Sequence, residues 1–593
     1  MPKARILSSQ PRLPALQKRP LSAYTEEEKQ TGRAILDTSA SKPGHRRFFL
    51  LLFGLSLAAY GRLLLQPGVF GDDPQLLYAF HRFGLAGYRD ALGYSRPFGG
   101  WVYTLLYPLA GGQPLAWQFC ALLLRSAGAG LLFDLLRRLG PGWRAPAVWA
   151  ALLCLLYPGF SQQAHALQFA LHWAALCAAL GSQILMLRAA AAKDRRKSLP
   201  LLFSSLILCA LGIFSTEYFF GLELLRPLLL RYFIKNGKQS SRKGRMQLWL
   251  PYLFISIVFI FWRLKLAQIP YPRPLLMEAW LANPAAALRY LLSRIAPDLW
   301  KAGGAAWVNS FSFNRSNTSL WLYLSLGGAL TAAICLACRK DLLADHANRR
   351  AGLLLICAGF LSMLAGEIPL LVSQTPLELD FPQNRTTLCL MVGACLMAAG
   401  LLRLLPARAG WLAAALLSGF SAAFQFDTAQ GYAGAWRELN SFYSQLAHCA
   451  PGLQPGTAIL YEEPLIPAYP ANSLAALLNW TYDADNTSEA FSYDMLRISE
   501  RLGNELPALQ MGLPIRHGNF SGSTSRVLAV ALDAHGCLQI LRPADEHNQG
   551  LPPLLRQAAR ISNPGGVILA SAKLTNPPPF LDLSVENADC GCR

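Results

Sequence analysis

Gly71-Asp72-Asp73-Pro74 sets two adjacent carboxylates directly after the first long apolar run of this chain. Such acids suit general-base work: an ionised carboxylate within hydrogen-bond reach of a hydroxyl takes up its proton, worth about 10²–10⁴ in rate. One ionised acid also raises the pKa of its neighbour. Cations to balance an anionic leaving group stand further along, Arg96 in Ser95-Arg96-Pro97 and Arg385 in Pro382-Gln383-Asn384-Arg385. A guanidinium placed where phosphate charge develops stabilises that charge. Glu217 closes an apolar run, where an ionised group is costly unless paired or facing a cavity; it suits orienting an acceptor or pairing with Arg96. His165 and His172 stand two helical turns apart on one face; His165 suits contact with phosphate or sugar, His172 suits packing. Each residue also has a plain reading. Gly-Asp-Asp-Pro is good turn chemistry. Arg385 has Glu378 and Asp380 close in sequence as ion-pair partners, and Glu217 reads equally as an interfacial acid in water.

The elements that must position these groups are read from composition. Of 593 residues, 53% are hydrophobic and only 15% charged, where soluble domains carry about a quarter. Apolar stretches of about 20 residues recur, each long enough to cross about 30 Å of hydrocarbon as a helix. They do not alternate as barrel strands would. The net charge of +20 comes from 54 Lys+Arg against 34 Asp+Glu. The basic residues gather in every second loop, as the positive-inside rule requires, which excludes nucleic acid as the partner and makes membrane lipid the solvent. The first 46 residues are polar and basic, with no apolar core before Phe48, so they read as a disordered cytoplasmic tail rather than a signal peptide.

The pattern predicts an all-α polytopic membrane bundle of about 11 transmembrane helices. The spans fall at Phe48–Leu65, Leu115–Leu136, Ala145–Tyr157, Ala166–Leu187, Leu199–Phe214, Tyr218–Leu230, Leu248–Leu264, Leu320–Cys338, Ala351–Val372, Thr387–Leu405 and Trp411–Phe424. External loops are expected over 66–112 and 265–318. Three regions result: a tail at 1–46, a membrane domain at 47–425 and a C-terminal domain at 426–593. An odd span count puts the N-terminus in the cytosol and the C-terminus outside, with Asp72, Asp73, Glu217, Arg263, Lys265, Arg273 and Arg385 on the outer side. The C-terminal region reads as a small external α/β domain. A hairpin is expected from Val527–Leu532 and Leu538–Leu541 around Asp533-Ala534-His535-Gly536, a further strand at Gly566–Leu569, and helices at Ser473–Leu478 and Leu551–Arg560. Cys449, Cys537, Cys590 and Cys592 fall where disulfides persist. Trp101, Tyr103, Tyr107, Trp300 and Trp307 suit an interfacial aromatic belt or stacking on sugars.

The order of Asp72-Asp73, then Tyr94-Ser95-Arg96-Pro97-Phe98-Gly99-Gly100-Trp101, then Tyr107-Pro108-Leu109-Ala110-Gly111, with Arg125 inside the second span, resembles the GT-C superfamily of integral-membrane glycosyltransferases. That superfamily includes protein O-mannosyltransferases, aminoarabinose transferases and oligosaccharyltransferases. The resemblance covers roughly 48–220. It implies a GT-C-like fold with Asp72 and Asp73 as catalytic acids in the first external loop. It further implies a sugar donor linked to a polyprenyl phosphate, and transfer with inversion to a glycan, lipid or protein acceptor outside the cytosol, in a bacterial plasma membrane. Arg96, His165, Glu217 and Arg385 are then the candidates for holding donor phosphate or sugar. Some members place a metal-binding acid in the second external loop. Pro158–Ala166 has Gln162, Gln163 and His165 there but no acid, so no metal ligand is assigned; no cofactor is firmly predicted, and a divalent metal stays as the open alternative. The alternative class is a transporter or flippase of lipid-linked or polar solutes, which calls for internal repeats and paired broken helices. A non-catalytic assembly factor is the third reading, and it leaves the acid pair idle.

Overall fold

The computed structural model describes residues 43–584, apart from 94, 193, 238–241, 267–274, 315, 344–348, 463–465, 467–468, 487 and 502–512. Most of the tail expected over 1–46, together with Tyr94, Arg273, Cys590 and Cys592, lies outside the described residues.

The apolar runs form helices because lipid offers no partners to backbone N–H and C=O groups, so each span must satisfy its own. The first run is α1 (Pro43–Tyr60). The connection after it is largely helical, formed by α2 (Asp73–Gly93), which bends at Gly84, and α3 (Gly99–Ala110). On α3, Tyr103 and Ala110 turn inward while Trp101, Leu105 and Leu109 are exposed, the pattern of a helix lying on a bilayer surface. Next come α4 (Pro114–Arg137), α5 (Arg144–Leu155), α6 (Ala166–Ala191) and α7 (Arg195–Ser215).

The sixth expected span, Tyr218–Leu230, is broken. It consists of a turn at Glu217–Phe219, a short helix at Gly221–Leu224 and α8 (Arg226–Gly237), with Pro227 opening the last piece. The break is pinned by a buried ion pair: Arg226 reaches Glu223 (Nη2 to Oε1, 2.8 Å) and the Ser182 hydroxyl of α6 (2.9 Å). A buried pair is tolerable only when its remaining donors are met in this way.

α9 (Arg242–Leu266) leads to the stretch expected as a loop over 265–318. Much of it is helix: α10 (Leu275–Ala282), α11 (Pro284–Trp300) and a π-turn at Lys301–Ala305. Arg294–Asp298 (2.7 Å) braces α11 internally, and Lys301–Glu378 (2.8 Å) ties its end to the bundle. α12 (Leu320–Leu343), α13 (Arg349–Ser373), α14 (Leu388–Leu404) and α15 (Ala407–Cys449) complete the helices of the bundle. α13 and α14 lie along one another. A Cβ on Gly359 would stand 2.6 Å from the Gly393 carbonyl, so glycine permits this approach where lipid removes the hydrophobic drive for helix pairing.

Among the described residues, eight helices are long and apolar enough to cross a membrane, so the chain is a multi-pass membrane protein by length and composition. The third expected span, α5, has only 12 residues, though nearly all of them are buried. The last span does not end at Phe424. α15 runs for 43 residues, about 65 Å at the helical rise, and its outer part carries the C-terminal region.

That region contains a four-stranded sheet in the order β2-β1-β5-β6 and a separate hairpin. The strands are β1 (Thr457–Tyr461), β2 (Tyr493–Arg497), β3 (Pro514–His517), β4 (Phe520–Ser523), β5 (Val527–Leu532) and β6 (Leu538–Leu541). β1 is central and parallel to both neighbours; β5 and β6 form the expected hairpin, with Leu532 opposite Leu538. The expected helices appear as α16 (Ala471–Tyr482) and α17 (Pro553–Ile561). The strand expected at Gly566–Leu569 is absent. Pro564–Val567 is a helical turn, and only Ile568 bridges to Leu453. Proline cannot donate to a ladder and starts a helical turn readily, which decides the segment. Cys449 and Cys537 are both disulfide-bonded.

Candidate active site

The Asp-Asp turn sits between two fixed points. Phe70 is buried against Tyr432, Trp436 and Tyr469, and its carbonyl accepts the Asp73 N–H at 3.0 Å. Gly71 between them has φ +54°, and a Cβ there would lie 2.1 Å from the His165 ring. Only glycine meets both demands.

This turn divides the acid pair. Asp73 is 2% exposed, and its two oxygens accept the backbone N–H groups of Leu167 (3.1 Å) and Gln168 (2.8 Å). It closes the N-terminal turn of α6, where unpaired N–H groups and the helix dipole favour a carboxylate. Burial nevertheless pushes its carboxyl up to about 8, against the pull of those donors. Asp72 faces the other way. It lines a cavity of about 510 Å³ and accepts one bond from Gln168 Nε2 at 2.8 Å. Burial raises its pKa above 3.8, while the nearby Arg385 charge and the Gln168 amide draw it back. The two acids expected to act together therefore have different surroundings: Asp72 reaches a cavity, and Asp73 caps the start of α6.

His165, at the start of α6, is 2% exposed. Its Nδ1 lies 3.2 Å from Gln168 Oε1, and its ring packs edge-on against Phe381 and Tyr432. Burial pushes its pKa down to about 4, so it is a neutral imidazole at physiological pH. It lines the same cavity as Asp72.

Arg385 is presented by a turn at Gln383–Thr387, fastened to the loop between α5 and α6. Gln162 Nε2 donates to the Pro382 carbonyl (2.7 Å) and to Asn384 Oδ1; Asn384 Nδ2 donates to the Ser161 hydroxyl; and the Thr387 hydroxyl donates to the Gly159 carbonyl (3.0 Å). The Glu378 carboxylate, read earlier as a partner for Arg385, is taken by Lys301.

A second cavity, about 580 Å³, opens beside the first. Among the described residues, Arg96, Arg263 and Arg385 supply its cations and Glu217 its single acid, with Leu92, Phe220, Phe259, Ile260, Leu264 and Ile368 among its apolar wall. Glu217 stands 3.8 Å from Arg96 and 3.7 Å from Arg263. Burial pushes Glu217 up, but the two guanidiniums outweigh it and hold the carboxyl below its ordinary value. The suggested pairing of Glu217 with Arg96 is present, and Arg263 joins it. His172 lines this cavity while packing on Phe169 and Tyr218. Gln168 and Arg385 line both cavities and form the partition between them.

Sequence reasoning missed Gln168, a polar residue in the first turn of an apolar helix, which spacing from His165 would have flagged. It also missed Tyr461, Asn472, Arg497 and Glu500, which lie far away in the chain and line the first cavity from the C-terminal side. The aromatics put forward for sugar stacking line neither cavity. Tyr103 is buried and donates to the Leu167 carbonyl, Trp101 lies under Arg89, Trp300 is exposed, and Trp307 packs on Tyr157. Among the described residues no group of three or more His, Cys, Asp and Glu side chains is placed so that it could hold a metal ion.

No protein-family model matches this chain, and no curated protein does. Among solved structures, ArnT from Cupriavidus metallidurans in its apo state aligns over 71% of this chain and 83% of its own, at 14% identity and a TM-score of 0.30. A score of that size carries no argument about fold or function.

Proposed function

We propose that this chain is a membrane glycosyltransferase of the GT-C kind, moving a sugar from a polyprenyl-phosphate carrier to an acceptor hydroxyl on the non-cytosolic face. The carrying observation is the pair of cavities meeting at Gln168 and Arg385. One is apolar with three arginines; the other is polar and holds Asp72. A lipid-linked sugar has an apolar tail, a phosphate and a reactive anomeric carbon, in that order. The second cavity meets the first two demands: its apolar wall takes the prenyl chain, and Arg96, Arg263 and Arg385 take the phosphate. The anomeric carbon then lies at the partition, beside Asp72.

In the step proposed, the acceptor oxygen attacks the anomeric carbon from the side opposite the phosphate, with inversion. Asp72 takes the hydroxyl proton as the new C–O bond forms, and the old C–O bond breaks toward phosphate. The polyprenyl phosphate leaves with the electron pair, and the arginines stabilise the charge that develops. Gln168, bonded to Asp72, positions the base. The same reading puts the described start of the chain near the cytosol and the sheet region outside.

The test is transfer from a radiolabelled polyprenyl-phosphate sugar by membranes containing Asp72→Asn. A loss of about 10²–10⁴ in rate is expected. Full transfer by a folded Asp72→Asn protein refutes the mechanism.

A further inference from the structure

The two cavities differ in charge. Among the described residues, the groove assigned to the donor carries Arg96, Arg263 and Arg385 against Glu217, three cations to one anion. Among the described residues, the cavity around Asp72 carries Arg385 and Arg497 against Asp72 and Glu500, two of each. Its neutral polar and aromatic groups include Asn472, Tyr461 and Tyr469.

The C-terminal wall is attached to the catalytic turn rather than merely near it. The Tyr469 hydroxyl donates to the Val69 carbonyl at 2.9 Å, three residues before Asp72, and its ring stacks on Phe70. Arg497 is braced by Glu500 (2.9 Å) and Glu462 (3.5 Å). Asn472, in contrast, is exposed on the first turn of α16.

The geometry points to this C-terminal wall as an acceptor subsite for a neutral, hydroxyl-rich saccharide, with Asn472, Arg497 and Tyr461 selecting it. The inference rests on the glycosyltransferase reading and extends it to the acceptor's class. A planar amide, a guanidinium–carboxylate pair and aromatic faces are the donors, acceptors and flat surfaces that sugar hydroxyls and C–H faces use. A volume of about 510 Å³ lies within the range of small-molecule sites, about 300–1,000 Å³. An acidic acceptor is disfavoured for a definite reason. Arg497 is already matched by two glutamates and Arg385 is shared with the donor groove, so an added carboxylate or phosphate would face Asp72 and Glu500 with no further cation among the described lining residues.

A glycan array carrying neutral, carboxylated and phosphorylated saccharides, probed with the labelled full-length protein in detergent, tests this. Neutral glycans should be retained and acidic ones should stay at background. Asn472→Ala, an exposed position, should weaken retention about fivefold, the loss of one hydrogen bond. Retention of acidic glycans at least as strong as neutral ones, no retention of neutral glycans, or an unchanged Asn472→Ala protein would each overturn the assignment. Polyprenyl phosphate binding on the same preparation, read by thermal shift and compared with Arg263→Gln, separates the two levels. A blank array with polyprenyl phosphate still bound through Arg263 defeats only the acceptor subsite. No polyprenyl phosphate binding defeats the reading beneath it.

Discussion

Asp72 and Asp73 are chemically identical neighbours with opposite surroundings. Asp73 has both oxygens on the backbone N–H groups of α6 and is sealed from water. Its replacement by alanine removes a helix cap, so Asp73→Ala should lower stability by about 0.5–2 kcal/mol, seen as an earlier melt in detergent. Any activity it loses should follow the folded fraction. As the proposed base Asp72 must act ionised, so its raised pKa has a kinetic sign. As pH falls, transfer should fail through a midpoint above the 3.8 of an ordinary aspartate, because burial favours the protonated, inactive form. Arg385 shifts that midpoint the opposite way, so Arg385→Gln should move it further up. A midpoint that stayed put in Arg385→Gln would mean that the two side chains do not sense each other.

At the scale of elements, the site depends on a clasp rather than on any one helix. The turn that carries Arg385 is held to the loop before α6 through Gln162, Asn384, Ser161 and Thr387. That loop begins at α5, a short but buried helix, and ends at the turn capped by Asp73. Asn384→Ala should therefore raise the donor KM by about five- to tenfold through a displaced Arg385, at a cost of about 1–3 kcal/mol for the buried partners left unpaired. Steady-state kinetics with donor varied and acceptor fixed would show it; an unchanged donor KM would remove the clasp from the argument. Element type was legible wherever apolar runs were long. It was misread at Tyr218–Leu230, where Pro227 and a buried ion pair broke the run, and over 265–318, where polar punctuation hid α10 and α11.

At the scale of the molecule, the connections and helix ends bearing Arg96, Glu217, Arg263 and Arg385 converge with Asp72 around the two cavities. The C-terminal region walls one of them. α16 sets Trp480 against Tyr78 and His81 of α2, and His81 Nε2 lies 3.0 Å from the Ala484 carbonyl. Sidedness follows for the whole assembly at once. Reporter fusions at 72 and 450 should read non-cytosolic, and those at Arg138 and Arg408 cytosolic. A cytosolic reading at 72 would end the proposal that a carrier presents its sugar there.

Hydrophobic run length and basic loop spacing were sufficient, in the sequence, to read a helical multi-pass bundle, a compositionally distinct C-terminal region and an acid turn after the first run. These are local properties, because a span must satisfy its own backbone and a turn must suit its own residues. Three things were decided only in three dimensions: which aspartate faces a cavity, which arginines share one groove, and that residues near 461–500 wall the space beside Asp72. Each depends on contacts between distant positions, such as the 95 residues between Asp73 and Gln168 and the 400 between Val69 and Tyr469, and neither periodicity nor composition encodes which distant backbone N–H a carboxylate will find.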